Sequence, residues 1–418
     1  MFLINHLIEH NRYLNLVGIV VVIGLAVLLS RHKKHINFRL IISSLAMQFG
    51  IAFLALKTSG GQLVLQALSD GVSYLYIFAS KGVAFLFGNL AQNVGTAWGT
   101  VFALQILPMI IFFGAFMALL FYMGIVQRVV NGIGFIVRPL LGTSGAETLC
   151  AIANSFLGQT EAPLLIRNYL KNMTKSEILV VMVSGMGTIS GSILAIYASM
   201  GAPIKSLLTA SVMAIPATIM IAKILLPETE KGQIESDHVS FETQSQNVFD
   251  ALSTGTSDGL MLALNVGAML LSFIALIEMV NALLAGSCHG INNYFGLFLP
   301  IMTLDSIFAK LFYPFAYFLG FAGDDAVKVA ELLGTKVGIN EFVAYIKMVH
   351  MQLPTRVAEI TTYALCGFSN FSCIGIQVGG IGVLVPEKRK WLTELGITAV
   401  IGGALSNLLT AMIAALFI

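Results

Sequence analysis

The stretch "NSFLGQTEAPLLIR", Asn154 to Arg167, sets an asparagine, a glutamine, a threonine and a glutamate within eight positions of an otherwise apolar run. Side chains of these types can hydrogen-bond a polar solute or offer hard oxygens to a small cation. A second stretch, "GINEFVAY", repeats the theme with Asn340 and Glu341. Inside a membrane an ionisable side chain costs about 2.5–3.5 kcal/mol at a helix centre on insertion scales, so it persists where it has a partner or a ligand. Two readings follow for each glutamate: a buried pair with Lys or Arg, or a group that holds a solute. Amides and carboxylates without a matched arginine cluster suit a neutral molecule rich in hydroxyl and N–H donors better than a phosphorylated anion. Phe368, a core or lipid-facing residue by default, gains a second reading from nearby Asn370 as a stacking surface for a flat ring.

The chain around these groups is a polytopic membrane protein. Of its 418 residues 57% are hydrophobic and 11% charged, against roughly 25% charged in ordinary soluble domains. A net charge of +2 gives no hint of nucleic acid or of acidic partners. Cys150, Cys288, Cys366 and Cys373 lack CxxC spacing and read as free thiols. The first apolar run, Leu14 to Leu29, has no small-residue cleavage site behind it and reads as a retained span. The basic cluster "RHKKHINFR" that follows places its end inside and the N-terminus outside.

Further spans are expected over Leu40–Leu56, Val101–Gly124, Ile178–Ala198, Leu207–Leu226, Leu260–Leu284 and Leu395–Ile418. Gln62 to Leu90, with Asp70, Lys81 and several glycines, suits a helix at the interface or the periphery. Ile125 to Leu141, with Arg128 and Arg138, suits a cytoplasmic interfacial helix. Pro227 to Asp250 is polar, acidic and aperiodic, a cytoplasmic loop between two halves. The chain thus divides into N-terminal spans with a peripheral helix (1–124), a first repeat (125–226), the loop (227–250) and a second half (251–418).

The halves resemble each other. Aligning Glu177 with Glu359 sets Gly185 on Gly367, Thr188 on Asn370 and Ser190 on Ser372. Each copy is a short hairpin with a glutamate at its tip, then a span interrupted by small and polar residues. Basic flanks put the start of the first interrupted span and the end of the second, at "PEKRKW", on the inside, so the copies are inverted. Paired interrupted segments in inverted repeats point to a secondary transporter with a midplane site. Gly145 to Tyr169 is too polar at its centre to cross twice, and a re-entrant hairpin fits, since irregular backbone at membrane depth must be buried in protein or line a cavity. In "GQTEAP" Gly158 permits a sharp turn and Pro163 suits a first helical turn. Thr188 would ordinarily bond its own helix's carbonyl; in an interrupted span it is also a plausible cation ligand.

"GQTEAPLLIR", "NEFVAY", "CGFSNFSCIGI", "LALNVGAML" and "YASMG" together resemble the concentrative nucleoside transporters, over essentially the whole chain. The resemblance implies an all-α membrane protein, a homotrimer whose protomers each have eight spans, two re-entrant hairpins and interfacial helices, divided into a scaffold and a mobile transport domain. It implies that Gln159, Thr160 and Glu161, with Ile193, Leu262 and Phe368, surround the base, and that Glu341, Asn370 and Cys373 meet the ribose. It implies a sodium site of Asn154, Thr188 and the carbonyls of Leu157 and Ile189, hard oxygens that fit a small alkali cation. Thr188 and Cys373 both stand where serine is usual; the first keeps the hydroxyl, whereas the second offers a weaker thiol.

These readings converge on an importer of nucleosides through the inner membrane, driven by a cation and working by alternating access. Both termini are expected outside. No cofactor beyond sodium as the coupling ion is expected, and no nucleic-acid partner. A proton-coupled carrier of the same fold is the nearest rival. An intramembrane enzyme using Glu161 and Glu341 as acid and base would be a different class, and no histidine or metal-ligand cluster stands at those tips to support it. A passive pore would show no accumulation.

Overall fold

The computed structural model describes residues 8–88, 90, 101–230, 245–296 and 300–418. The described residues form an all-helical protein in which eight helices are long and apolar enough to cross a membrane. Three come first: α1 (Arg12–Leu28), α2 (Phe38–Lys57) and α3 (Ser59–Phe87). Asn37 and Thr58 start the second and third by accepting backbone N–H groups at the N-cap. The third is 29 residues long and only 11% of its apolar stretch is buried. It is a peripheral helix, as expected, yet its length and composition suffice to span, which the scattered glycines and charges had argued against.

A short turn, Phe102–Gln105, leads into α4 (Leu107–Tyr122), followed by α5 (Ile125–Leu141). The α5 helix buries Val126, Val130, Gly134, Val137 and Leu141, one face of a helix at period 3.6, and leaves Phe135, Ile136 and Leu140 exposed. The first hairpin is α6 (Gly145–Asn154), a turn, and the short pieces α7 (Ala162–Leu165) and α8 (Arg167–Leu170). The first interrupted span is α9 (Lys175–Gly187) and α10 (Gly191–Ser199), and α11 (Ile204–Leu225) follows.

Residues 231–244, the bulk of the expected loop, lie outside the described residues. Chain resumes in α12 (Val248–Phe295), a helix of 48 residues. At 1.5 Å per residue it is about 72 Å long, more than twice a hydrocarbon core of about 30 Å. The sequence suggested a span from Leu260; the polar, glycine-bearing turns before it are helical because α12 lies backbone to backbone on α4. A Cβ added to Gly114 would meet the Gly255 carbonyl at 2.8 Å, and one on Gly259 would meet Ile111 Cα at 2.8 Å. Small residues permit that approach where no hydrophobic effect drives helices together.

The second half continues with α13 (Leu304–Phe318), then α14 (Gly323–Gly338), bent 114° from it, and α15 (Glu341–His350). The second interrupted span is α16 (Thr355–Leu365) and α17 (Ser372–Leu384), and α18 (Arg389–Ala415) closes the chain. The core sits where α9, α11 and α16 pack on α18. Lys175–Ser199 and Ile204–Leu225 are each 89% buried over their apolar stretches and Pro386–Ala415 78%, so these spans form the interior, while the first helices, at 39% or less, form part of its rim.

Candidate substrate and cation site

Both interrupted spans break where the alignment placed the interruption. Thr174 and Glu177 form a capping box that starts α9: the Thr174 N–H donates to Glu177 Oε2 at 2.8 Å and the Glu177 N–H to Thr174 Oγ1 at 3.2 Å. The helix stops after Gly187, Thr188 is extended, and Ser190 caps the restart. In the second copy α16 stops after Leu365, and Asn370 Oδ1 caps the restart by accepting the Cys373 N–H at 3.0 Å and the Ser372 hydroxyl at 2.6 Å. The two breaks touch, for the Phe368 N–H donates to the Thr188 carbonyl at 3.3 Å. Asn407 of α18 stitches them, its Nδ2 donating to the Gly187 carbonyl at 2.7 Å and the Cys366 carbonyl at 2.8 Å. Backbone groups freed by breaking two helices are thereby satisfied inside the protein. A side chain at Gly367 would press on Asn407 Oδ1 at 2.4 Å.

The hairpin tips converge on these breaks. At the first tip the Gly158 N–H donates to Glu161 Oε2 at 2.8 Å and the Glu161 N–H to the Gly158 carbonyl at 3.1 Å. Gly158 is absent from the positive-φ residues, so the turn does not need it for a left-handed conformation. A Cβ there would stand 3.4 Å from the Glu161 carboxylate carbon, an ordinary contact. Pro163 occupies the first turn of α7 as expected. At the second tip Asn340 is spent as the N-cap of α15, accepting the Val343 N–H at 2.9 Å, which frees Glu341 to project.

Between tips and breaks lies a cavity of ≈ 200 Å³. Gln159, Thr160, Glu161, Ile193, Leu262, Glu341, Phe368, Asn370 and Cys373, the nine residues singled out from sequence, all line it. Glu341 is held from two sides: the Tyr197 hydroxyl donates to Oε1 at 3.1 Å and Asn370 Nδ2 to Oε2 at 2.9 Å. Among the described residues no Lys or Arg lies within ion-pair distance of Glu161 or Glu341, although the buried Lys336 ammonium acts on Glu341 from farther off. Cys373 is 3% exposed, and its sulfur accepts from Gln159 Nε2 at 3.2 Å. Gln377 Nε2 in turn donates to Gln159 Oε1 at 3.2 Å and to the Met182 carbonyl at 3.0 Å. Cys373 thus touches both Gln159, expected at the base, and Asn370, expected with it at the ribose.

Tyr197 and Asn265, though inside "YASMG" and "LALNVGAML", carry no role in the sequence reading, and Gln377 lies outside every motif. Tyr197 stacks on Tyr345 with ring centroids 4.1 Å apart, and the Tyr345 hydroxyl donates to the Thr362 carbonyl at 3.0 Å, so the hydroxyl that meets Glu341 sits on a braced ring. Its place after "GSILAI" was a signal, one turn beyond Ile193 on the same face of α10.

Two of the four expected cation ligands, Asn154 and Thr188, meet at the end of the first hairpin arm. Thr188 Oγ1 donates to its own helix's Ser184 carbonyl at 2.7 Å, the ordinary use of such a hydroxyl, and also to the Asn154 carbonyl at 3.1 Å, which sets it beside the other expected cation ligand. Asn154 Nδ2 donates to Ser184 Oγ at 2.9 Å while Asn154 Oδ1 is buried without a hydrogen-bond donor. An orphaned amide oxygen beside a hydroxyl oxygen and irregular backbone fits a small hard cation. Ser184, one turn before Thr188, is the member of this cluster that the sequence reading missed.

Two broken helices crossing beside a cavity walled by two hairpin tips is the build of a secondary transporter. Three family models tile the chain: sodium-dependent nucleoside transporter N-terminus over residues 17–90, nucleoside recognition over 103–204, and sodium-dependent nucleoside transporter C-terminus over 206–415. An uncharacterized transporter of Haemophilus influenzae is 42% identical over 412 residues, 97% of each chain. Nucleoside permease NupC of Helicobacter pylori is 40% identical over 414 residues, 97% of each. Sodium/nucleoside cotransporter 1 of Rattus norvegicus is 36% identical over 95% of this chain, which spans 62% of that longer protein. Among solved structures, CNTnw in an inward-facing substrate-bound state matches with a TM-score of 0.90 at 40% identity over 97% of both chains. A doubly substituted CNTnw in an outward-facing state matches with a TM-score of 0.89 at 39% identity. The chain belongs to the concentrative nucleoside transporter family. Its members are multi-pass membrane transporters of nucleosides and not enzymes.

Proposed function

We propose that this protein imports nucleosides through the inner membrane by sodium symport, with the repeats forming a mobile transport domain that exposes the cavity to each side in turn. The observation that carries the coupling is the shared residue Thr188. Its hydroxyl closes on Asn154 at the cation cluster, while its carbonyl accepts the N–H of Phe368, whose side chain lines the cavity. A sodium ion taken by Asn154 Oδ1, the Thr188 hydroxyl and the carbonyls of Leu157 and Ile189 would fix the first break and the first hairpin together. That sets Gln159, Thr160 and Glu161 to meet the base, with Ile193, Leu262 and Phe368 enclosing the ring. Glu341, steered by Tyr197 and Asn370, accepts from ribose hydroxyls, and Cys373 acts through Gln159. The functional unit is a homotrimer with both termini outside, and the hairpins are re-entrant, entering and leaving on one side. Sodium-dependent relatives and a substrate-bound structural neighbour support this reading.

Uptake of radiolabelled uridine into proteoliposomes tests it. An inward sodium gradient should drive uridine above its external concentration, and replacing sodium by choline should abolish this. A buried carboxylate outside any ion pair, as at Glu341, favours proton coupling as the second reading; acid-driven accumulation in sodium-free buffer would establish that one instead.

A further inference from the structure

The second repeat carries a cation of its own. Lys336 stands in the last turn of α14, the first arm of the second hairpin, and is 2% exposed. Its Nζ donates to the Ala364 carbonyl at 2.8 Å and to Asn407 Oδ1 at 2.6 Å. Among the described residues no carboxylate comes within ion-pair distance of it. Glu341 acts on it electrostatically from beyond that distance, yet a lysine this deep is expensive, because desolvation costs several kcal/mol per ion unless close acceptors replace the water. The acceptors here are the carbonyl end of α16 and an amide that itself holds the carbonyls of Gly187 and Cys366. Helix C-termini carry partial negative charge, so two half-helices ending at one place make a seat for a cation.

The first repeat has the same seat. Asn154 stands in the last turn of α6, seven residues before the tip glutamate Glu161, and Lys336 stands five before Glu341. Each faces the break of the interrupted span that follows it: Asn154 meets Thr188, and Lys336 meets the end of α16 through Ala364. In the first repeat the seat holds an orphaned oxygen, Asn154 Oδ1. In the second it holds an ammonium on a tether.

We infer that Lys336 is the second repeat's built-in counterpart of the coupling cation: it holds the second hairpin arm to its broken span at all times, leaving the first hairpin alone to respond to sodium. The inference rests on the sodium-symport reading. Lys336 touches no substrate and is a positioning residue. Two consequences follow for the intact protein. One sodium ion accompanies each nucleoside, and sodium activates uptake hyperbolically.

Paired fluxes of radiolabelled sodium and uridine in proteoliposomes, at clamped membrane potential, test this on the wild type and on Lys336→Gln and Lys336→Ala. The wild type should carry one sodium per uridine. In the variants a free ion should take the vacated seat, raising the flux ratio to two and the Hill coefficient for sodium from about one toward about two. Melting of the purified variants should also shift upward with sodium and not with choline. Two sodium ions per uridine in the wild type would overturn the inference. So would a glutamine variant that keeps a ratio of one with hyperbolic activation, since the charge would then be dispensable. Variants unstable at every sodium concentration would overturn it too, because a free ion could not then replace the ammonium. A wild type indifferent to sodium would instead sink the symport reading first, and this inference with it.

Discussion

Replacing Glu341 by Gln is the sharpest perturbation of the substrate cavity, because the structure says what should survive it. The carboxylate accepts from the Tyr197 hydroxyl at 3.1 Å and from Asn370 Nδ2 at 2.9 Å. An amide of the same shape can keep its oxygen toward Asn370 and turn its NH₂ toward Tyr197, whose hydroxyl can accept as well as donate. The fold should therefore tolerate the change. What disappears is an anionic acceptor for a ribose hydroxyl. Hydrogen bonds to charged groups contribute about 1.5–3 kcal/mol, so uridine binding should weaken roughly 10- to 150-fold at about 1.4 kcal/mol per tenfold. Isothermal titration on purified wild type and variant, with uridine and with its 2′-deoxy and 3′-deoxy forms, measures it. The deoxynucleoside that lacks the hydroxyl facing Glu341 should bind both proteins with similar affinity, while uridine separates them. Equal losses for all three ligands would refute the ribose contact and make Glu341 a support for Asn370 and Tyr197.

Three other changes probe neighbouring claims. Thr188→Val keeps the shape but removes a hydroxyl that bonds Ser184 and Asn154, and should raise the sodium concentration for half-maximal uptake several-fold; unchanged sodium dependence would remove Thr188 from the cation site. Cys373→Ser gives Gln159 a stronger acceptor than the present sulfur at 3.2 Å, a gain of about 0.5–1.5 kcal/mol or roughly 2- to 10-fold in affinity. If the thiol acts through Gln159 as proposed, ribo- and deoxyribonucleosides should gain alike in competition binding, whereas a gain confined to ribonucleosides would return Cys373 to the ribose. Gly367→Ala drives a methyl into Asn407 and should destabilise by about 1–3 kcal/mol, read as a lower melting temperature in detergent.

The sequence announced its tips and breaks because they violate their surroundings. Gln159, Glu161, Glu341 and Asn370 are polar groups in apolar runs, and in a membrane such groups cannot be incidental. Supporting residues gave no such signal. Lys336 in "ELLGTKVG" looks like the solvated charge of an ordinary amphipathic helix, and only the packing of α14 beside α16 and α18 buries it. Asn407 and Ser184 are single polar residues within long spans, where a bond to the preceding turn would explain them equally well. The length of α12 was hidden for a related reason: Gly255 and Gly259 read as flexible until their contact with α4 is known. Gly158, read as permitting a sharp turn, is required there neither by a left-handed dihedral nor by space, since a Cβ would make only ordinary contact with Glu161.

The central claim is that cation and nucleoside seats are one coupled unit meeting at Thr188, and linkage measures that most directly. Uridine affinity of the purified wild type should be titrated at a series of sodium concentrations, with choline holding ionic strength, and sodium affinity at a series of uridine concentrations. Coupled seats require each ligand to strengthen the other by the same factor, typically about 5- to 150-fold. Seats coupled at Thr188 should show that reciprocal factor with sodium and lose it in Thr188→Val. Uridine affinity that ignores sodium but follows pH would contradict it.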